Sequence, residues 1–227
     1  MTERRHGEAM ARRAVELVQP ESVVGLGTGR AASAFLTALA ERVRHGLRVR
    51  CVATSQATEA SARRLGVPLA SLEEVGSIDL AVDGADEVDP TLDLVKGYGG
   101  ALVRERIVAS ASRRFVVLVG PEKLVATLGS RGVLPVEVIP FGWSFCAGKL
   151  AELGCRPRRR LDGTTPFITD NGNHVLDCAV EAFADPAGLE RRISEIPGVV
   201  GTGLFLGMAD TVLVEDERGE VTVRTRR

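Results

Sequence analysis

The sequence predicts an α/β protein, in which a Rossmann-like, doubly wound parallel sheet is joined to a smaller ferredoxin-like α+β domain. From residue 8 to about 126, segments of helical periodicity alternate with short apolar runs, as in successive βα units. After residue 134 the order changes to strand, helix, two strands, helix and strand, which is typical of a ferredoxin-like domain.

The first part of the chain provides the predicted elements of the doubly wound sheet. The predicted helices cover 8–18, 30–42, 58–65 and 101–112, and the predicted strands cover 22–26, 48–53, 78–82 and 115–119. In the second helix, Ala31, Ala34, Phe35, Ala38 and Leu39 share one apolar face. The strands are short and apolar, as expected for strands buried on both faces.

The second part provides the predicted α+β domain. Its strands are predicted over 136–139, 156–160, a pair around the turn at 170–173, and 199–205; its helices are predicted over 143–153 and 187–196. A closing hairpin, 211–214 with 220–225, is expected to return to the first domain. The predicted domains are therefore 1–130 plus 206–227, Rossmann-like, and 131–205, ferredoxin-like.

Composition limits the class of partner. With 227 residues and 44% apolar residues the chain can build a substantial core, and 29 Lys and Arg nearly balance 30 Asp and Glu. This balance gives no long-range field for nucleic acid or an anionic membrane, so a small polar ligand is the expected partner. The chain has no apolar run long enough for a membrane span and its amino terminus lacks a signal-peptide pattern, so a cytoplasmic location is expected.

Cysteine and histidine patterns argue against a metal site. The cysteines show no CxxC spacing and are predicted to be reduced and mostly buried: Cys51, Cys146, Cys155 and Cys178. The three histidines, His6, His45 and His174, are far apart and match no metal-ligand motif. We therefore expect no transition-metal site built by the protein.

A glycine-rich turn follows the first predicted strand. Gly25-Leu26-Gly27-Thr28-Gly29 leads into a helix, where backbone N–H groups can approach an anion. A dinucleotide fingerprint requires glycine at position 30, but Arg30 stands there, and the next strand ends in the hydroxyl-rich segment 54–58. The pattern favours a terminal phosphate over NAD, and a tight turn without a ligand stays open as the alternative.

Five charged residues mark a candidate chemical site. Asp83 and Asp86 follow the predicted strand 78–82, at the sheet edge where ligands bind, although an Asx-type cap beside a solvated acid would look the same. Lys96 precedes a glycine-rich turn and could equally be a surface charge. Glu105 falls within an apolar arc of its helix, where a carboxylate is costly unless it is used or paired. Lys123 follows the strand 115–119 and would reach the same edge.

These segments together resemble the type A ribose-5-phosphate isomerases over essentially the full length. The matching stretches are GLGTG (25–29), TSQAT (54–58), DGADEVD (83–89), KGYGGALVRE (96–105), GPEK (120–123), LPVEVIP (134–140) and TDNGNHVLD (169–177). The resemblance implies interconversion of ribose 5-phosphate and ribulose 5-phosphate in the pentose phosphate pathway, through an enediolate and without a cofactor. It also implies a homodimer or homotetramer.

The resemblance implies a role for each matching residue. Glu105 is expected to be the base, Lys96 to stabilise the oxyanion, and Asp83 and Asp86 to hold sugar hydroxyls and assist ring opening. The expected substrate-binding residues are Gly27, Thr28, Gly29, Arg30, Ala31, Thr54, Ser55, Gly84, Ala85, Gly97, Tyr98, Gly99 and Lys123.

The chain departs from the family pattern around the phosphate. Arg30 and Ala31 replace the usual Ser and Thr, Tyr98 interrupts the glycine loop, and Gly7 and Glu8 stand where the family has a phosphate-binding lysine. Arg30 could supply a bidentate phosphate contact instead. An isomerase of the same mechanism with another sugar or sugar phosphate, and a non-catalytic sugar-phosphate-binding protein, stay open as alternatives. A nucleotide-dependent oxidoreductase is disfavoured by the broken fingerprint.

Overall fold

The computed structural model describes residues 7–226, so His6 and the start of the amino-terminal segment lie outside the described residues. The described chain divides into two compact units. The first comprises 7–85, 104–123 and 208–226, and the second comprises 86–103 and 124–207. The segment 86–103, which the sequence prediction placed with the first domain, belongs to the second unit; the predicted domain bounds stay a prediction.

Helices and strands alternate along most of the chain. The strands are β1 (Val23–Leu26), β2 (Arg50–Ala53), β3 (Leu80–Gly84), β4 (Glu87–Val88), β5 (Leu94–Val95), β6 (Phe115–Val119), β7 (Val133–Val138), β8 (Arg156–Arg159), β9 (Leu161–Asp162), β10 (Thr165–Pro166), β11 (His174–Ala179), β12 (Val199–Thr202), β13 (Leu204–Phe205), β14 (Thr211–Glu215) and β15 (Val221–Thr225). The helices are α1 (Glu8–Val15), α2 (Arg30–Arg44), α3 (Gln56–Leu65), α4 (Leu72–Val75), α5 (Leu102–Ser110), α6 (Trp143–Glu152) and α7 (Pro186–Ser194).

The first unit contains a six-stranded sheet with the order β15-β14-β6-β3-β1-β2. All neighbouring pairs are parallel except β14 with β15, so the closing hairpin lies in this sheet. Strands β1 and β6 are buried along their whole length, and Phe35 and Leu39 of α2 lie in the same core. The predicted Rossmann-like α/β fold is confirmed.

Helix ends in this unit are fixed by identifiable caps. The Ser55 hydroxyl accepts a hydrogen bond from the Thr58 N–H at the start of α3, and the helix ends at Leu65, followed by the capping residue Gly66, whose φ is 72°. At α1 the cap comes from far along the chain, because the buried Glu215 carboxylate accepts the N–H groups of Gly7 and Met10. This contact ties the first helix to the last part of the sheet.

The second unit contains a four-stranded antiparallel sheet with the order β12-β7-β11-β8 and a smaller sheet with the order β13-β5-β4. Its core includes Val136 and Val138 of β7, Leu176 of β11 and Leu150 of α6. All four cysteines of the chain are buried free thiols, as predicted. Within residues 7–226, no helix is long and apolar enough to cross a membrane.

Two predictions of local structure in the second unit were wrong. The turn at 170–173 does not join a strand pair, because β10 pairs with β9 while β11 pairs with β7 and β8. Side chains of this turn and of the residue before it instead donate to the buried Glu137 carboxylate: Thr169, Asn171 and Asn173. The predicted strand 199–205 is divided at Gly203, whose N–H donates to the Pro135 carbonyl between β12 and β13.

Candidate active site

The carboxyl ends of β1 and β3 bring Asp83 against the glycine-rich turn of the first unit. The Asp83 Oδ1 atom accepts the N–H groups of Thr28 at 3.1 Å and of Gly84 at 2.7 Å. A Cβ atom on Gly27 would lie 2.1 Å from the same oxygen, which is closer than real Cβ atoms come. Asp83 is only 3% exposed. Glycine at position 27 is therefore required by the packed Asp83 carboxylate.

Hydroxyl groups from two neighbouring turns meet beside this carboxylate. The Thr28 hydroxyl lies 2.8 Å from that of Thr54, 2.9 Å from that of Ser55 and 3.4 Å from that of Thr58. Thr54 also donates to the Leu26 carbonyl at 3.0 Å, at the end of β1. Parallel pairing of β1 with β2 brings the two turns together. We call Thr28, Thr54, Ser55 and Thr58 the hydroxyl cluster.

The start of α2 places the residues that depart from the family pattern. Gly29 precedes the helix with φ 99°, a left-handed conformation that favours glycine. Arg30 is exposed as the first helical residue, and Ala31 is half-buried. The α2 amino terminus thus presents a guanidinium to solvent and a methyl group, rather than two hydroxyls, at positions 30 and 31.

Glu105 and Lys123 are also held by the first unit. Glu105 is 5% exposed in the first turn of α5, and Val108 and Ala109 of the same helix are buried with it. This agrees with the apolar arc predicted from the sequence. Lys123 is half-buried at the end of a 3₁₀ turn, Pro121–Lys123, which directly follows the buried strand β6.

The second unit holds Lys96 and Asp86. Lys96 is only 3% exposed, its N–H donates to the Gly203 carbonyl at 2.8 Å, and its ammonium lies 5.6 Å from the Phe205 ring centroid. Burial of a lysine is costly, and the aromatic face is a favourable neighbour for its charge. The Asp86 Oδ2 atom accepts the Tyr98 N–H at 3.0 Å, which links it to the loop after Lys96.

The loop after Lys96, residues 97–100, depends on glycine at two positions. Gly97 has φ 108° and Gly100 has φ 79°, both in the left-handed region, and the Gly100 N–H donates to the Gly97 carbonyl. Gly99 is exposed. The Tyr98 hydroxyl lies 3.4 Å from the Val133 carbonyl. Burial, together with the negative charge of Asp86, raises the pKa of Tyr98 to about 12, so its hydroxyl is neutral at physiological pH.

The predicted site residues fall into two sets. The first unit holds Gly27, Thr28, Gly29, Arg30, Ala31, Thr54, Ser55, Asp83, Gly84, Ala85, Glu105 and Lys123; the second holds Asp86, Lys96, Gly97, Tyr98 and Gly99. Within the described residues, no three His, Cys, Asp or Glu side chains are grouped so as to hold a metal ion.

Sequence reasoning missed some members of this polar architecture. Thr58 was recognised only as part of a matching stretch, although its serine-capped position in α3 places its hydroxyl in the cluster. Two further residues were not selected: Arg160, which donates to the carbonyls of Gly97 and Tyr98, and Asp177, which accepts from Arg160. One signal could have indicated Asp177: it is the last residue of the matching stretch 169–177, to which no role was assigned.

The first unit also contains an open cavity of about 470 Å³ between α3, α4 and α5. It is lined by Glu59, Arg63, Glu74, Arg104 and Ile107 among others, and by none of the predicted site residues. Charged side chains of both signs share its wall, so its chemistry selects no particular class of ligand.

Comparison with known proteins identifies the relatives of this chain. The family model described as ribose 5-phosphate isomerase A (phosphoriboisomerase A) matches residues 50–219. Ribose-5-phosphate isomerase A of Thermomicrobium roseum is 53% identical over 214 residues, covering 93% of this chain and 90% of that protein. The Gloeobacter violaceus protein of the same name is 51% identical, covering 93% of each.

Solved structures give the same result. Ribose 5-phosphate isomerase A from Methanocaldococcus jannaschii has a TM-score of 0.92 and 39% identity, covering 99% of this chain and 100% of that chain. A D-ribose-5-phosphate isomerase in complex with phospho-erythronic acid has a TM-score of 0.94 and 36% identity, with both chains fully covered.

Proposed function

We propose that this chain, which belongs to the ribose 5-phosphate isomerase A family, interconverts ribose 5-phosphate and ribulose 5-phosphate. The observation that carries the proposal is the burial of Glu105, a carboxylate at 5% exposure, in a chain that also buries Asp83 and Lys96. Buried charged groups cost free energy, and perturbed buried groups cluster at functional sites, so the burial of these three supports the proposal.

We assign the proton transfer to Glu105. The Glu105 carboxylate removes the proton from C2 of the open-chain aldose. The electrons of the C2–H bond form the C1–C2 double bond, and the electrons of the C1 carbonyl move to O1. Return of the proton to C1, with loss of the O2 proton and protonation of O1, gives the ketose. The same carboxylate can serve both half-steps because C1 and C2 are adjacent.

We assign stabilisation of the enediolate to Lys96, because a fixed positive charge acts most strongly on the oxygen that becomes negative. Asp83 and Asp86 are assigned to the sugar hydroxyls and to ring opening, since each carboxylate can accept from a hydroxyl. The hydroxyl cluster and Lys123 are assigned to substrate binding, and Arg30 to the phosphate, for which a guanidinium offers paired donors.

An isomerase with another substrate is the second candidate, and one observation favours it. The residues at positions 30 and 31 offer one exposed guanidinium and a methyl group in place of two hydroxyls. A panel of pentose phosphates and free pentoses distinguishes the two candidates. A binding protein without catalysis would retain ligand response when Glu105 is replaced, and would show no turnover.

The deciding experiment mixes the purified chain with ribose 5-phosphate, without added metal or nucleotide, and follows ribulose 5-phosphate formation. We expect turnover that falls on the order of 10²-fold or more in Glu105→Gln. Glu59→Gln is the matched control, because Glu59 also lies in the first turn of a helix and pairs with Arg63 on the surface. Full activity in Glu105→Gln would refute the assigned base, and no turnover by the unaltered chain would refute the isomerase.

We also propose that the chain forms a homodimer or homotetramer in the cytoplasm. The support is an exposed apolar surface on adjacent segments of the second unit. Phe141 is fully exposed, and Ile139, Phe145 and Val200 are about half exposed. Exposed apolar groups that lie together mark interaction surfaces, and a second copy of the chain is the occupant we assign.

A further inference from the structure

The Arg160 guanidinium in the second unit contacts both the Asp177 carboxylate and the loop that follows Lys96. Arg160 donates from Nε and Nη2 to Asp177, at 2.9 Å to Oδ2 and 2.5 Å to Oδ1. Its Nη1 atom donates to the carbonyls of Gly97 and Tyr98, each at 3.1 Å. The side chain is 15% exposed, so these contacts are largely shielded from water.

The loop depends on such donors because it is not part of a strand ladder. The Lys96 N–H before the loop donates to the Gly203 carbonyl, and inside the loop the Gly100 N–H donates to the Gly97 carbonyl. The left-handed glycines turn the carbonyls of Gly97 and Tyr98 toward Arg160. Charge-assisted hydrogen bonds to two successive carbonyls fix the orientation of the peptide planes between them.

Phe167 completes the support. A Cβ atom on Gly100 would lie 2.5 Å from the Phe167 ring, so the ring packs directly on the loop backbone. The Arg160 guanidinium lies 5.7 Å from the same ring centroid, and the Phe167 N–H donates to the Arg160 carbonyl at 3.0 Å. The loop is thus held by one guanidinium and one aromatic ring.

We infer that Arg160, oriented by Asp177, is a positioning residue for the catalytic machinery of the second unit. By fixing the carbonyls of Gly97 and Tyr98 it fixes the backbone that leads out of Lys96. It also fixes the Tyr98 N–H that holds the Asp86 carboxylate. The inference rests on the proposed function, which assigns Lys96 and Asp86 to the reaction.

The geometry requires a guanidinium rather than any cation. Arginine presents several donors in a rigid plane, whereas the lysine ammonium is a single point of charge on a flexible stem. A lysine at position 160 could pair with Asp177 or reach the loop, but could not span both. Arg160→Lys therefore retains the charge and removes the bridge.

The test compares Arg160→Lys and Arg160→Gln with Arg159→Gln, a matched control. Arg159 is the preceding residue on the chain, and its guanidinium stacks on Trp143, 4.3 Å from the ring centroid. For both Arg160 variants we expect kcat on ribose 5-phosphate to fall by about 10- to 100-fold with KM changed by less than about threefold. Arg159→Gln should retain kcat.

Two further measurements separate positioning from general stability. Hydrogen exchange of the Tyr98 amide should accelerate at least about tenfold in Arg160→Lys, with β6 and β11 unchanged. Guanidinium ion should partly restore kcat in Arg160→Ala. If Arg160→Gln does not fold, the kcat and the amide exchange of Arg160→Lys test the positioning role.

Unchanged kcat and unchanged exchange in Arg160→Lys would overturn the inference, and so would a loss of kcat that merely follows the fraction of unfolded protein. An unaltered chain without turnover would instead overturn the proposed function, and the exchange of the Tyr98 amide would still decide whether Arg160 holds the loop.

Discussion

Substitution of Gly27 by alanine tests the packing of Asp83 against the glycine-rich turn. The new methyl group would lie 2.1 Å from Asp83 Oδ1 and 2.6 Å from Asp83 Cβ, whereas real Cβ atoms essentially never approach within 3.0 Å. Because Asp83 Cβ is close to the backbone, rotation of the carboxylate cannot relieve both contacts. The β1 turn or Asp83 must therefore move by about 1 Å.

Such a displacement should have two measurable effects. Forcing an extra methyl group into filled space costs about 1–3 kcal/mol of the free energy of unfolding, which a urea titration measures. A shift of about 1 Å in a substrate-positioning group can reduce the rate on the order of 10²-fold, so kcat/KM for ribose 5-phosphate should fall by about that factor.

Gly84→Ala is the control for stability. A methyl group there would meet Ala31 and the Leu118 carbonyl only at 3.7 Å, which is ordinary van der Waals contact. Its free energy of unfolding should change by less than about 0.5 kcal/mol. If Gly27→Ala were as stable as the unaltered chain and retained its kcat/KM, the steric argument for the glycine would be wrong.

Two other predictions concern the phosphate and the subunit contact. Arg30→Ala should raise KM for ribose 5-phosphate by about tenfold, because a charge-assisted hydrogen bond is lost. The same substitution should leave turnover of free ribose unchanged. Equal effects on both sugars would contradict the assignment of Arg30 to the phosphate. Phe141→Glu should lower the mass measured by sedimentation equilibrium to that of a smaller assembly. Leu161, which is 54% exposed on β9, provides the control, because Leu161→Glu should leave the mass unchanged. An unchanged mass in Phe141→Glu would show that the surface around Phe141 is not the subunit contact.

The fold was predictable because its main signals are local. Short apolar runs alternating with helical periodicity predicted the parallel sheet, and the apolar arc of α5 predicted the burial of Glu105, which is 5% exposed. Both inferences depend only on which face of a helix or strand the core occupies. For Glu105, the residue type and its position on the apolar face of the helix were sufficient to predict its burial.

The interactions that the sequence did not predict are between distant segments. The turn at 170–173 had the composition of a hairpin, but its polar side chains reach the buried Glu137 on β7. Arg160 contacts Gly97, which lies 63 positions earlier in the sequence. Arg160 stands in a run of arginines, and nothing in the neighbouring sequence distinguishes it as the one that makes this contact. Periodicity reports burial, but not the partner of a polar group.

The amino terminus shows why a family position can change without loss of the fold. Gly7, one of the two positions at which the resemblance led us to expect a lysine, has φ 96°, and its N–H donates to Glu215 at 3.0 Å. A lysine at this position would adopt a strained left-handed conformation at the start of α1. Since this backbone favours glycine, the proposed function takes the cation for the phosphate from another element. Arg30, exposed at the first position of α2 beside the glycine-rich turn, is the residue we assign to that charge.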